Sequence, residues 1–119
     1  MSLIFVYGTL KRGGCNFHFM AGQQFLGEAR TPPGYRLYEL DGYPGMIVKP
    51  DDRDGVTGEV WSVDAAGLTQ LDLLEGLAEG LYRRESIKLL PPFAGQSIET
   101  YLCARSIHGR RDLGSTWRE

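Results

Sequence analysis

The tightest limit on what this chain can fold into is set by Leu3-Ile4-Phe5-Val6-Tyr7, five consecutive apolar residues with strong β preference. A strand with one solvated face alternates apolar and polar residues. This run does not alternate, so it predicts a strand buried on both faces. The chain has 119 residues, 42% of them hydrophobic, which is enough to bury a core without metal or disulfide staples. One domain over residues 1–119 is the expectation, with 106–119 a polar C-terminal tail anchored only by Trp117.

Sixteen glycines and six prolines divide the rest into short elements. Gly8-Thr9-Leu10-Lys11-Arg12-Gly13-Gly14 ends the first strand in a glycine-bounded loop, and Asn16 is a candidate cap for a short helix holding Phe17, Phe19 and Met20. Strands are predicted over Phe25–Thr31, Tyr35–Leu40, Met46–Val48, Val56–Val63, Tyr82–Leu90 and Ile98–Arg105, with breaks at Pro32-Pro33, Asp41–Gly45 and Pro91-Pro92. The convincing helix runs from Ala65 to about Glu75, with Asp64 as N-cap and Gly76 as stop. Six or seven short strands against one or two helices predict an α+β fold with a curled, barrel-like sheet.

That helix carries the most pointed chemical signal. At about 100° per residue, Leu68, Leu71 and Leu74 form an apolar stripe, and Glu75 projects between the directions of Leu68 and Leu71. A carboxylate aimed at a core from the negative end of a helix is disfavoured as an anion, which raises its pKa and makes it a candidate general base or acid. The competing reading pairs Glu75 with Arg83 or Arg84 at a frayed helix end. The loop Tyr7–Gly13 offers main-chain amides for an anion-binding nest, with a hydroxyl from Thr9 and a phenol from Tyr7, or is an ordinary strand-ending turn. Tyr82 and Arg84 share one face of a strand and either orient a polar ligand or pair with acidic neighbours. Tyr101 and Cys103 share a face of the last strand, a position most often turned to a core.

Other chemistries find no support. The two histidines, His18 and His108, have no zinc-type spacing with cysteine, and Asp51-Asp52-Arg53-Asp54 lacks the pattern of a calcium loop. Cys15 and His18 have no third group to orient them, and no Gly-x-Ser-x-Gly elbow is present. Thirteen basic residues against fifteen acidic ones give a net charge of −2, so no basic field gathers nucleic acid or an anionic membrane. The N-terminal apolar run is too short for a signal peptide, and no stretch approaches the length of a membrane helix. A cytoplasmic protein with Cys15 and Cys103 reduced, though a single disulfide between them stays open, is the expectation.

Taken in order, Phe5–Gly13, Gly58-Glu59-Val60-Trp61, Leu71–Gly76 and Tyr82-Arg83-Arg84 resemble the γ-glutamylcyclotransferase-like family, most closely its γ-glutamylamine cyclotransferase branch. The resemblance covers roughly residues 1 to 105. It implies a small mixed α/β barrel with an enclosed cavity and an enzyme that releases 5-oxoproline and a free amine from a γ-glutamyl amine or γ-glutamyl amino acid. By the same resemblance Glu75 is the catalytic glutamate, Tyr7, Gly8, Thr9 and Leu10 hold the glutamyl end, and Tyr82, Arg84 and, more weakly, Tyr101 complete the substrate site. No metal or other cofactor is implied. The implied partner is a small γ-glutamyl substrate, with the chain a monomer or weak homodimer. Removal of a γ-glutamyl group from a larger metabolite, or a non-catalytic small-molecule binding module of the same fold, are the alternatives. The segment Tyr35–Val48 is the expected source of one cavity wall.

Overall fold

The apolar run forms β1 (Ser2–Val6), placed between antiparallel β5 (Thr57–Val63) and parallel β7 (Ile98–Cys103) in the computed structural model, which describes residues 1–118. Both faces of β1 are buried, as the missing alternation predicts. Ile4 and Val6 pack with Trp61 and Val63 on one side, and Phe5 and Tyr7 pack with Val60 and Ile98 on the other. The first face is covered by α1 (Ala65–Leu74) through Leu71 and by a 3-10 turn over Phe17–Met20 through Met20. Leu68 and Leu74 pack against the same cluster, so the leucine stripe points where its spacing requires.

The remaining strands are β2 (Gln24–Arg30), β3 (Tyr35–Glu39), β4 (Pro44–Val48), β6 (Tyr82–Ile87) and β8 (Asp112–Gly114). The sheet order is β2-β5-β1-β7-β4-β3-β8, with β6 also on β7. β6 pairs with β7 along its whole length, from Tyr82 opposite Cys103 to Ile87 opposite Ile98. The other edge of β7 is therefore shared, β1 pairing Leu3–Phe5 with Ile98–Thr100 and β4 pairing Met46 with Leu102. The sheet forks at this point, and the fork opens beside the loop that follows β1.

Three expectations need correction. The sheet is mixed and eight-stranded but not closed, because its ends, β2 and β8, do not pair with each other among the described residues. The tail is not merely a polar extension: β8 pairs with the outer edge of β3, Asp112 takes Arg36 Nε at 2.8 Å, and Ser115 O accepts the Thr57 amide at 2.9 Å. Trp117 does anchor it, packing against the second core cluster. Finally, Asn16 does not cap the 3-10 turn. Its side chain turns back and donates to Thr9 Oγ1 at 3.0 Å, tying the turn to the loop.

Candidate active site

Two local devices fix Glu75. Asp64 caps the start of α1 by accepting the Gly67 amide at 2.7 Å. At the other end Gly76 takes φ +64, its amide reaches Leu73 O, and the Leu77 amide reaches Asp72 O, both at 3.2 Å. This is the double bond of a Schellman stop, which glycine closes without the penalty a side chain meets at positive φ. Glu75 is left as the last residue before the reversal, its carboxyl directed into a small recess between the helix end and the sheet fork.

The rest of that recess comes from the fork. Tyr7, Gly8, Thr9 and Leu10 line it from the loop after β1, Tyr82 from β6 and Tyr101 from β7. The loop approaches β4 so closely that a Cβ on Gly8 would lie 2.6 Å from Pro44 Cγ, so the absent side chain is a packing requirement. The main-chain amides of Gly8, Thr9 and Leu10 donate to no protein acceptor among the described residues, while Lys11, Gly14 and Asn16 use theirs to close the turn. Glu59 fixes the loop from below: it is buried, and its carboxylate accepts the Arg12 amide at 3.1 Å, Arg12 Nε at 3.0 Å and Trp61 Nε1 at 3.1 Å.

The hydrogen bonds also set the polarity of the aromatic walls. Tyr7 donates to Tyr101 O at 2.5 Å and accepts the Met46 amide at 3.2 Å. Tyr82 donates to Pro44 O at 2.7 Å, and Tyr101 to Asp72 Oδ1 at 2.8 Å. Burial holds all three phenols well above their ordinary pKa, so they stay protonated, with the Glu75 charge pushing the same way. Glu75 itself is pushed up to about 7 by burial, a rise that the Arg105 cation moderates. A carboxyl near 7 in a recess with free main-chain amides is equipped to take up and return a proton beside a bound anion.

A family model described as "Gamma-glutamyl cyclotransferase, AIG2-like" matches residues 4–119. The chain belongs to the γ-glutamylcyclotransferase family. Within it, the chain is 39% identical over 112 residues to a γ-glutamylcyclotransferase family protein, YtfP, of Escherichia coli K12, covering 94% of this chain and 91% of that one. Among solved structures it is similar to a protein specific to uropathogenic E. coli, with a TM-score of 0.78 and 31% identity over 96% of this chain and 91% of the other. It is likewise similar to an AIG2-like protein from Mus musculus, with a TM-score of 0.76 and 30% identity over 87% of this chain and 78% of the other. The mixed sheet and the one α-helix of the described residues match the fold of these solved structures.

Of the residues that the family resemblance nominated, Glu75, Tyr7, Gly8, Thr9, Leu10, Tyr82 and Tyr101 come together around the recess. Arg84 does not. It shares the strand face of Tyr82, but its guanidinium is taken by Asp72 of α1 and lies 3.4 Å from Glu99. The expected wall from Tyr35–Val48 narrows to Tyr43 and Pro44. Sequence reasoning missed two residues. Arg105 donates to Tyr43 Oη at 3.0 Å beside the site, and it had looked like part of a solvated tail cluster. Asp72 stood within a quoted motif, one turn before Glu75, with nothing local to show which strand it would meet. Among the described residues no cluster of His, Cys, Asp and Glu could hold a metal, no helix is long and apolar enough to cross a membrane, and Cys15 and Cys103 form no disulfide.

Proposed function

We propose that the protein is a γ-glutamylcyclotransferase that acts on a γ-glutamyl amine or γ-glutamyl amino acid, with Glu75 as general acid and base. The reading is carried by one observation: a carboxyl with pKa near 7 shares a small recess with the unengaged amides of Gly8 to Leu10. The amides bind the α-carboxylate of the glutamyl group and hold its α-nitrogen close to its own side-chain amide carbon, where proximity supplies a large share of the rate. Glu75 accepts a proton from the α-ammonium. The freed amine attacks the γ-carbonyl, forming the ring C–N bond. The original amide C–N bond then breaks as Glu75 returns the proton to the departing nitrogen, and the second proton of the ring nitrogen passes to the released amine, giving 5-oxoproline and the leaving group as an ammonium. The proton borrowed in the first step is spent in the last, so Glu75 ends each turnover as it began.

A second recess continues from the first and shares Thr9, Tyr43, Glu75 and Tyr82 with it, adding Asn16, Leu74 and Leu81. It favours, as a second reading, a leaving group larger than a simple amine. The test is 5-oxoproline release from a panel of γ-glutamyl amines, γ-glutamyl amino acids and γ-glutamyl-ε-lysine. Wild-type product, with none from Glu75→Gln, is expected. Turnover by that variant overturns the role of Glu75, and a wild-type ligand that binds unchanged moves the protein to a binding module.

A further inference from the structure

Asp72 lies one helical turn before Glu75 and does not itself line the recess, yet both of its oxygens are used. Oδ1 accepts the Tyr101 hydroxyl at 2.8 Å, and Oδ2 takes the Arg84 guanidinium. Arg84 and Tyr101 are directly opposed in the β6–β7 register, so one carboxylate on α1 clamps a cross-strand pair. A phenol carries one proton. Once the Tyr101 proton is given to Asp72, every other group that meets this oxygen must be a donor.

We infer that Asp72 is a positioning residue that commits the Tyr101 proton to the helix, so that the Tyr101 oxygen serves the Glu75 recess as an acceptor for the substrate's α-ammonium. Arg84, nominated by its motif as a substrate ligand, then acts through Asp72: a cation with donors only, it occupies the second oxygen and fixes the carboxylate between the two strands. Tyr82 obeys the same rule, its proton being given to Pro44 O. The walls thus present acceptors and the loop presents amide donors. That division orients a molecule carrying an ammonium and a carboxylate in one direction only. The inference rests on the γ-glutamyl reading of the recess.

Asp72→Asn tests it with little change of shape. Asparagine has a single acceptor oxygen, which Arg84 claims, so the amide NH2 faces Tyr101 and the hydrogen bond reverses, turning the phenol proton back out. The KM of the best γ-glutamyl substrate should rise about tenfold in Asp72→Asn and in Tyr101→Phe, the worth of one hydrogen bond to a charged group. The double variant should differ from Tyr101→Phe by less than about twofold, since Asp72 has nothing left to direct. Losses in kcat/KM that multiply instead, alongside matching losses of thermal stability, overturn the inference in favour of a structural brace. A second readout needs no turnover. With 13Cζ-labelled tyrosine in mixed H2O and D2O, the wild-type Tyr101 signal should be split by its slowly exchanging hydroxyl, and the splitting should vanish in Asp72→Asn. A splitting that survives the substitution overturns the inference. A wild type that makes no 5-oxoproline defeats the γ-glutamyl reading alone, and the splitting still decides the role of Asp72.

Discussion

Tyr7 and Tyr101 stand 94 residues apart and share one buried hydrogen bond, from the Tyr7 hydroxyl to the Tyr101 carbonyl at 2.5 Å. The bond spans the fork where β1 leaves β7 and β4 takes its place, and the Met46 amide of β4 completes it by donating to the same hydroxyl. One phenol therefore does the work of the ladder bonds that the fork interrupts, and it leaves room beside itself for the recess. Tyr7→Phe keeps the ring but strands a buried carbonyl and a buried amide. We expect a loss of about 1–3 kcal/mol. It should appear as a lower urea midpoint at an unchanged slope. A midpoint equal to wild type would show that the fork closes without this bond.

The raised pKa of Glu75 makes the fold pay at high pH. Its carboxyl titrates near 7 in the folded protein and near 4.5 when unfolded. Between those values the folded state binds more protons, so stability is full below about pH 4.5 and falls as pH rises toward about 7. Discounted for the part exposure of the group, the loss at about pH 8 is of order 1–3 kcal/mol. Glu75→Gln removes the titration. The variant should melt with wild type at about pH 4.5 and above it at about pH 8, while turnover of the wild type should climb through an acidic limb centred near 7. Parallel melting curves at both pH values would place the Glu75 carboxyl in water.

How much of this was legible in the sequence depends on the range of the forces involved. β1 was legible because two buried faces leave no polar residue in the run, and α1 because Asp64, the leucine spacing and Gly76 are all local signals. The direction of Glu75 follows from helix geometry alone, and its place beside the amides of Gly8 to Leu10 followed only from the order of motifs. β8 was not legible. It is three residues long with no apolar pattern, and it forms because β3 offers an unpaired edge and Asp112 finds Arg36. Arg84 shows the same limit from the other side. Spacing put it on the strand face of Tyr82, but Asp72, twelve residues earlier, decided its partner.

Glu59 links the second motif to the first. Three donors converge on its carboxylate, two of them from Arg12 within the loop. Glu59→Ala leaves the Trp61 indole N–H and the Arg12 amide without acceptors and frees the loop whose amides line the recess. A destabilisation of about 2 kcal/mol is expected, with a rise in KM larger than the fall in kcat, because loop order serves binding first. Glu59→Gln keeps an acceptor and should recover part of both. Kinetics and melting on the two variants check this, and a KM unmoved by Glu59→Ala would separate Glu59 from the loop.

Gly8→Ala probes the narrowest point of the site. The new methyl would meet Pro44 Cγ at 2.6 Å and Cδ at 3.1 Å, closer than carbon atoms approach without displacement. Proline cannot swing aside as a flexible side chain does, so either the loop or the start of β4 must shift. Either shift reaches the chemistry: the loop carries the amides, and Pro44 O holds the Tyr82 hydroxyl at 2.7 Å. Overpacking of this kind costs about 1–3 kcal/mol, and turnover should fall by at least about tenfold even where the protein remains folded. Gly95→Ala is the matched control, because a methyl there meets nothing within 4 Å and its φ is not positive. Its melting temperature and turnover should stay at wild-type values. A Gly8→Ala variant that behaves like this control would show that the loop and β4 have slack between them, and that the amides are not held by this contact.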